Sequence, residues 1–265
     1  MTATNAVSPR TGNVSAGTSI FAMVVLEHPL KNIYPEIDVA GTPAGAPTAM
    51  VHCNNCTNDI NAWVGMLRET LELFGAGLRR RPLHRPVQKE PGGAGDCDGV
   101  LVYNYMAGEG VTHLDSGRPL VMRRPDSAFT LANFMRSQIY GAMATMCAGM
   151  EILHKENVAI DSLTGHGGLF KTPGVAQRYM AAACKAPVTC METAGEGGPY
   201  GMALLASYMV CREEGESLGD YLNNKVFANA KGVTLAPDPE DVKGFEAYLQ
   251  NYVSGLAAEK AAVKA

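Results

Sequence analysis

The sequence predicts an α/β protein with one mixed five-stranded sheet and the element order βββαβαβα. Three strand-like apolar runs come first, at residues 13–16, 20–26 and 48–53. Two further runs, at residues 158–163 and 187–190, are each followed by a helical pattern. Parallel strands need a crossover helix whereas a short turn suffices for antiparallel strands, so this order predicts both kinds of pairing in one sheet.

The first two helices follow from apolar residues repeated at three- and four-residue spacing. One such face lies on residues 58–74, and a second, longer one lies on residues 131–153. At 1.5 Å per residue, the second helix is predicted to be on the order of 40 Å long. Asp126 and Ser127 precede it and belong to the residue types that cap helices, so we expect them at its start.

The later helices carry start signals typical of strand–helix units. Helices are predicted at residues 173–184 and 199–213, each with a proline near its first turn, where a helix makes no use of the missing N–H. A final amphipathic helix is predicted to begin at Asp238, because proline and acidic residues follow it.

The division into domains follows from where these patterns weaken. Residues 75–125 are rich in loop-forming residues and carry one strand-like run, so they are predicted to be an insertion. We therefore expect residues 1–235 to form one α/β domain that contains this insertion. Residues 236–265 are expected to form a C-terminal amphipathic helix and tail.

Composition disfavours several classes of protein. Apolar residues make up 46% of the chain, charged residues 18%, and the net charge is −4, so there is no basic surplus for a nucleic-acid partner. The apolar run at residues 20–26 is too short to cross a membrane and lacks the flanks of a signal peptide. Seven cysteines, an odd number, favour reduced thiols in a cytoplasmic protein.

Two glycine-rich turns are the strongest functional signals in the chain. Gly17 and Thr18 join the first two strands, and Gly167 and Gly168 join the fourth strand to a helix. Such turns bring backbone N–H groups and helix N-termini close to a flat or anionic ligand, and a nucleotide fits both descriptions. In the ribonuclease-H-like layer of actin-like ATPases, which has the order βββαβαβα, these turns share one edge of the sheet, where ligands bind.

Three motifs resemble the C-terminal domain of the FGGY carbohydrate kinases, the family of xylulokinase, ribulokinase and glycerol kinase. Residues 15–19 (SAGTS) resemble its second phosphate motif, and residues 165–168 (GHGG) resemble its adenosine motif. Residues 198–203 (GPYGMA) are similar to its final glycine-alanine helix start. The resemblance covers most of the chain and is weakest across the insertion and the last helix.

This resemblance implies a role for five residues. Gly17 and Thr18 are expected beside the phosphates of ATP, and Gly167 and Gly168 are expected against the adenosine. Thr172 is expected to make a polar contact to the nucleotide, which would bind together with Mg²⁺. The implied function is that of the nucleotide-binding half of a kinase that phosphorylates a ketopentose such as xylulose or ribulose.

The resemblance also implies that part of the enzyme is absent from this sequence. In the family, the catalytic aspartate precedes a segment similar to residues 1–7, so the chain alone is expected to be an inactive fragment. The sugar would bind mainly to the missing N-terminal domain. The face left exposed is expected to favour a homo-oligomer or docking with a separately encoded N-terminal half.

Two other functions remain open. A non-catalytic actin-like interaction module, or a degenerate kinase paralogue, would keep the fold without responding to ATP. A thiol redox protein would use Cys53 and Cys56, whose C-x-x-C spacing also occurs in zinc sites. A structural zinc site needs four ligands, and no second pair with ligand spacing follows, so small buried thiols are favoured.

Two histidines have both a functional and a structural interpretation. His113 lies near Glu109 and Asp115, but no nucleophile is placed beside it, so the segment is interpreted as a solvated loop. His166 lies inside the turn that resembles the adenosine motif, where contact with a nucleotide and a surface position are equally favoured.

Overall fold

A computed structural model describes residues 1–75, 93–171, 174–192 and 197–265. Within these ranges the strands are β1 (Thr11–Ala16), β2 (Ile20–Val25), β3 (Asp38–Gly41), β4 (Pro47–Cys53), β5 (Leu101–Tyr103), β6 (Leu120–Met122), β7 (Ser162–His166), β8 (Val188–Met191) and β9 (Gly232–Leu235). The α-helices are α1 (Asn58–Leu73), α2 (Leu131–Lys155), α3 (Val175–Cys184), α4 (Gly197–Cys211), α5 (Leu218–Tyr221) and α6 (Pro239–Ala262). None of the described helices is both long and apolar enough to cross a membrane.

The main sheet is mixed, which confirms the predicted fold class. Its order is β3-β4-β2-β1-β7-β8-β9, while β5 and β6 form a separate antiparallel pair. The central strand β1 is antiparallel to β2 and parallel to β7, and β8 is parallel to β7. Since β4 is antiparallel to β2, the four strands β1, β4, β7 and β8 run in one direction. Their carboxyl ends therefore lie at one edge of the sheet.

The described part of the sheet has seven strands where five were predicted. The two additional strands, β3 and β9, are its edges, and all but one of their residues are exposed. An edge strand in contact with water needs no alternation of apolar and polar residues, so neither strand has a pattern that marks it in the sequence.

The fourth predicted strand begins later than expected. Strand β7 starts at Ser162 and not at residue 158. Asn157 has a left-handed backbone with φ of 61°, and the N–H of Val158 donates to the carbonyl of Leu153 at 3.0 Å. These residues therefore close the C-terminus of α2, which leaves the apolar side chain of Val158 packed against the core instead of in a strand.

The cap of α2 was predicted at the wrong residues. Thr130 precedes the helix, and its hydroxyl accepts from the N–H of Asn133 at 3.2 Å. Ser127 instead accepts from the N–H of Arg124 at 3.1 Å, so the segment that contains Asp126 is a turn before the helix. A threonine closer to the helix satisfies its first N–H groups more directly than the two earlier residues.

The core lies between the sheet and three helices. Helix α2 packs against β2, β4 and β5, α3 packs against β8 and β9, and α6 packs against both of these helices. The described part of the predicted insertion contributes Cys97, Val100 and Tyr105 to this core. In α6, the ring of Tyr252 stacks on that of Tyr103 at 4.6 Å. The insertion and the predicted C-terminal unit thus share one core with the sheet, and the domain boundaries at residues 75–125 and 235 stay predictions.

A second, smaller cluster lies beneath α4, which packs against the N-terminal turn Thr2–Thr4. The hydroxyl of Thr164 on β7 donates to the carbonyl of Thr4 at 3.2 Å, which fixes this turn to the sheet. The cluster is formed by Val7, Leu204, Leu218, Tyr221 and Leu222.

Candidate functional site

Three described segments meet at the edge formed by the carboxyl ends of β1, β4, β7 and β8, which we call the carboxyl edge. The turn at residues 17–19 follows β1, and the loop at residues 54–57 connects β4 to α1. The short 3-10 turn Gly168–Lys171 follows β7 and leads to α3. The carboxyl edge of such a sheet is where α/β proteins bind ligands, because loops and helix N-termini converge there.

The two predicted glycine turns lie side by side at this edge. Strands β1 and β7 pair in parallel with Ser15 opposite His166, so the residues that follow them are neighbours. Gly167 has a φ of 98°, and a Cβ built on it would lie 2.6 Å from the carbonyl oxygen of Ala16. Its backbone is therefore in direct contact with β1, one residue before the turn that contains Gly17.

Gly17 and Gly168 differ from Gly167, because the fold requires neither of them to be glycine. Neither has a positive φ. Among the described residues, a Cβ at Gly17 would have its nearest neighbour at 4.0 Å, and a Cβ at Gly168 would meet nothing within 4 Å. Both positions face free space at the carboxyl edge, as a surface that approaches a ligand closely would.

The turn after β1 offers a hydroxyl group to a ligand, but one of its backbone N–H groups is already used within the turn. Thr18 is exposed at its tip. The N–H of Gly17 donates to the carbonyl of Ser19 at 2.8 Å, so it is used inside the turn and is not available to a ligand. Thr172, the fifth predicted site residue, lies outside the described residues.

Sequence reasoning missed the loop that connects β4 to α1. The N–H and the hydroxyl of Thr57 both donate to the carbonyl of Gly17, at 3.1 Å and 2.7 Å. Thr57 precedes the first residue of α1, yet its hydroxyl caps the neighbouring turn and not its own helix. The start of α1 is thereby fixed beside the Gly17 turn.

Glu109 fixes the loop at residues 54–57 through hydrogen bonds. One of its carboxylate oxygens accepts from the N–H of Asn54 at 3.0 Å, and from the side-chain amide of Asn55 at 3.1 Å. Glu109 is buried, with 1% of its surface exposed, and burial raises the pKa of its carboxyl group. The prediction of a solvated loop is therefore wrong at Glu109. It holds for His113, which is exposed and pairs with Glu36 at 2.9 Å.

His166, the last residue of β7, is packed on the sheet and does not lie at an open surface position. Its Nε2 lies 3.1 Å from the side-chain nitrogen of Asn13, and its ring meets the edge of Phe21. This contact ties the ring to the side chain of Asn13 on the neighbouring strand β1. Burial lowers the pKa of His166, which favours the neutral ring.

The two cysteines of the C-x-x-C segment do not have the properties of redox thiols. Burial raises the pKa of Cys56 to about 12 and that of Cys53 well above its ordinary value. A reactive cysteine needs a lowered pKa and access to solvent, and both thiols are buried. In the described ranges, no group of three or more His, Cys, Asp or Glu side chains could hold a metal ion.

The fold and this edge define an α/β domain of the actin-like ATPase type. More particularly, the model of the C-terminal domain of the FGGY family of carbohydrate kinases matches residues 12–210. This match spans most of the chain, so the chain belongs to that family. No curated protein sequence matches the chain.

Solved structures share the fold. The xylulose kinase from Rhodospirillum rubrum has a TM-score of 0.77 and 14% identity, over 100% of this chain and 50% of that one. The ligand-bound xylulose kinase from Lactobacillus acidophilus has 0.75 and 14%, over 97% and 49%. The Plasmodium falciparum glycerol kinase with ADP has 0.67 and 10%, over 97% and 49%. The chain thus spans about half the length of these structures.

Proposed function

We propose that this chain is the nucleotide-binding half of an ATP-dependent kinase that phosphorylates a ketopentose such as xylulose or ribulose. The observation that carries the proposal is the contact of Gly167 with Ala16, which brings the two glycine turns side by side at the carboxyl edge. Membership of the FGGY family supports the reaction class. Xylulose kinases among the similar structures favour a ketopentose, although a gluconate kinase has the same TM-score of 0.75 as one of them.

Each predicted site residue has a chemical role in this proposal. The exposed hydroxyl of Thr18 donates to a phosphate oxygen, and Gly17 leaves room for the phosphates. Gly168 lets the backbone approach the adenosine, and Gly167 holds the same turn against the end of β1. Thr172 adds a polar contact to the nucleotide.

The Mg²⁺ of the proposal would be bound mainly by the nucleotide itself. Asp59 is the acidic residue in the first turn of α1, but it is buried and accepts from the indole N–H of Trp63 at 3.1 Å. Mg²⁺ commonly keeps several waters and binds through substrate phosphates, whose developing charge it neutralises during transfer. The role of this chain is then to orient the phosphates and not to ligate the metal.

Transfer also needs a base beside the sugar hydroxyl, because phosphoryl transfer depends on aligning both reactants. The similar structures are about twice as long as this chain. We infer that their other half corresponds to the sugar-binding part. The chain alone is expected to bind MgATP weakly and to leave the sugar unphosphorylated.

Calorimetry with millimolar MgATP tests nucleotide binding directly. The Gly168→Val variant is expected to lose binding, because its side chain fills the space that the adenosine would occupy. Gly41→Val is the matched control, since a Cβ there also meets nothing within 4 Å but lies at the opposite edge of the sheet. No binding by the wild-type chain would favour the non-catalytic module. Sugar phosphorylation by the chain alone would show that the base lies within it.

A further inference from the structure

A buried carboxylate is bonded to a single short loop at the carboxyl edge. Glu109 accepts from both backbone N–H groups of Asn54 and Asn55, at 3.0 Å and 3.4 Å, in addition to the Asn55 amide. Burying a charge is unfavourable unless hydrogen bonds compensate for it. Since the donors to this carboxylate in the part of the chain that the structure describes belong to residues 54–55, its hydrogen bonds act on the conformation of that loop.

The segment that contains Glu109 makes further hydrogen bonds to the same loop. The side-chain oxygen of Asn55 accepts from the N–H groups of Met106 and Ala107, at 2.8 Å and 3.0 Å. The amide of Asn104 donates to the carbonyl of Cys56 at 2.6 Å. The loop is therefore held against residues 104–109 over its whole length up to Thr57.

Thr57 transmits this position to the turn after β1. Its two hydrogen bonds end on the carbonyl of Gly17, whose own N–H closes the turn onto Ser19. The hydrogen bonds of Glu109 to residues 54–55, the backbone that leads from there to Thr57, and the bonds of Thr57 to Gly17 thus connect the carboxylate to the turn that presents Thr18. The bond between Glu109 and Asn54 joins residues 55 positions apart, and the bond between Thr57 and Gly17 joins residues 40 positions apart.

We propose that Glu109 is a positioning residue of the nucleotide site, which acts through residues 54–57 to hold the Gly17 turn in its binding geometry. This inference rests on the proposed function for its ligand, MgATP. The geometry itself does not depend on the ligand. Glu109 touches no ligand in this account, and its effect is carried by Thr57.

Hydrogen exchange measured by NMR on the full chain tests the coupling. Glu109→Gln replaces a charged acceptor by a neutral one, so exchange at the amides of Asn54, Asn55 and Gly17 is expected to accelerate about tenfold. MgATP affinity, measured by calorimetry, is expected to fall about tenfold as well. Thr57→Val removes the hydroxyl and should accelerate exchange at Gly17 alone, and Thr57→Ser should restore it.

Glu156→Gln is the matched control. Glu156 also holds a loop, accepting from the N–H of Lys31 at 2.9 Å and from the hydroxyl of Tyr34 at 2.5 Å, but at the opposite edge of the sheet. It should leave exchange at Gly17 and MgATP affinity unchanged. If Glu109→Gln does not fold, the two Thr57 variants carry the test.

The outcomes separate this proposal from the proposed function. Wild-type exchange at Gly17 in both Glu109→Gln and Thr57→Val would overturn the positioning role, whatever the chain binds. Faster exchange at Gly17 in a chain that does not bind MgATP would support the coupling and overturn the proposed function. Faster exchange with undiminished MgATP affinity would show that the turn does not contribute to binding, and would also overturn the positioning role.

Discussion

Gly167 and Gly168 are adjacent, but only Gly167 is required by the fold. Substitution of each by alanine is expected to distinguish the two roles. Gly167→Ala is expected to lower the free energy of unfolding by more than about 2 kcal/mol, because it combines a left-handed backbone with a clash against Ala16. Gly168→Ala should leave the free energy of unfolding within about 0.5 kcal/mol of wild type. Denaturant titration measures both, and equal losses would contradict the assignment of free space at Gly168.

His166 gives the stability of the chain a defined pH dependence. Its pKa is lowered in the folded state, so its contribution to the free energy of unfolding is fully present above the ordinary histidine value of about 6.5. That contribution is lost as the pH falls through the lower folded-state pKa. The melting temperature of wild type should therefore decrease between pH 7 and pH 5 relative to that of His166→Gln. Parallel curves for the two proteins would show that His166 does not titrate differently on folding.

Whether a residue of the candidate site could be predicted from sequence depends on how far along the chain its contacts lie. Gly17 and Gly168 could be proposed from sequence because glycine in a turn after a strand is a local signal, and their role stays a prediction. Thr57 and Glu109 were missed, because the bond from Thr57 ends on a backbone carbonyl 40 residues away and Glu109 acts on a loop 55 residues away. The Asn54-Asn55 pair after β4 was the available signal, since such side chains often bond to backbone groups.

At the scale of elements, the helices that carry apolar residues at regular spacing or a clear start signal were predicted well. Helix α1 was expected at residues 58–74 and occurs at Asn58–Leu73, and α6 begins after the predicted cap Asp238. The edge strand β9 was not predicted, because three of its four residues are exposed. Its position depends instead on a polar side chain from α3, which no pattern within the strand could reveal.

Gln177 is that side chain, and its replacement should detach β9. Its buried amide nitrogen donates to the carbonyls of Val188 on β8 and Val233 on β9, at 2.8 Å and 2.6 Å. Gln177→Ala leaves the carbonyls of buried Val188 and exposed Val233 without this partner, so the free energy of unfolding should fall by about 1–3 kcal/mol. Hydrogen exchange in Gly232–Leu235 should accelerate more than in the central strands.

Thr234→Val is the control for the β9 experiment. It removes the hydroxyl contact between Thr189 and Thr234, which is 2.8 Å long but exposed to water. Water can replace the partner of an exposed hydrogen bond, so the free energy of unfolding should change by less than about 0.5 kcal/mol. Equal effects of Gln177→Ala and Thr234→Val would mean that Gln177 does not hold the edge strand.

At the scale of the whole molecule, fold class and family were predictable because they depend on the order of elements and on three motifs. The boundaries within the chain were less accessible. Tyr103, in the predicted insertion, donates from its hydroxyl to the carbonyl of Tyr252 in the C-terminal helix at 2.8 Å. Contacts between such distant segments leave no local pattern, so a region that appears irregular in sequence forms part of the core.

Helix α4 carries an exposed apolar stripe that predicts self-association. Met202, Met209 and Val210 are 68%, 78% and 85% exposed, and their spacing puts them on neighbouring positions of one helix face. Covering them with a second copy of the chain removes apolar surface from water. A 15-residue helix buries less than the about 1,200 Å² of a stable interface, so the association should be weak and reversible.

Sedimentation velocity over a range of protein concentrations measures this association. The mean sedimentation coefficient of wild type should rise with concentration, whereas Met209→Glu should stay monomeric because a charge would be buried in the contact. Its melting temperature should not change, since the side chain already faces water. Ile33→Glu is the control, because Ile33 is 99% exposed but lies in the loop between β2 and β3. Association that persists in Met209→Glu and is lost in Ile33→Glu would place the contact outside α4. A wild-type chain that is monomeric at every concentration would show that the stripe of α4 does not cause self-association.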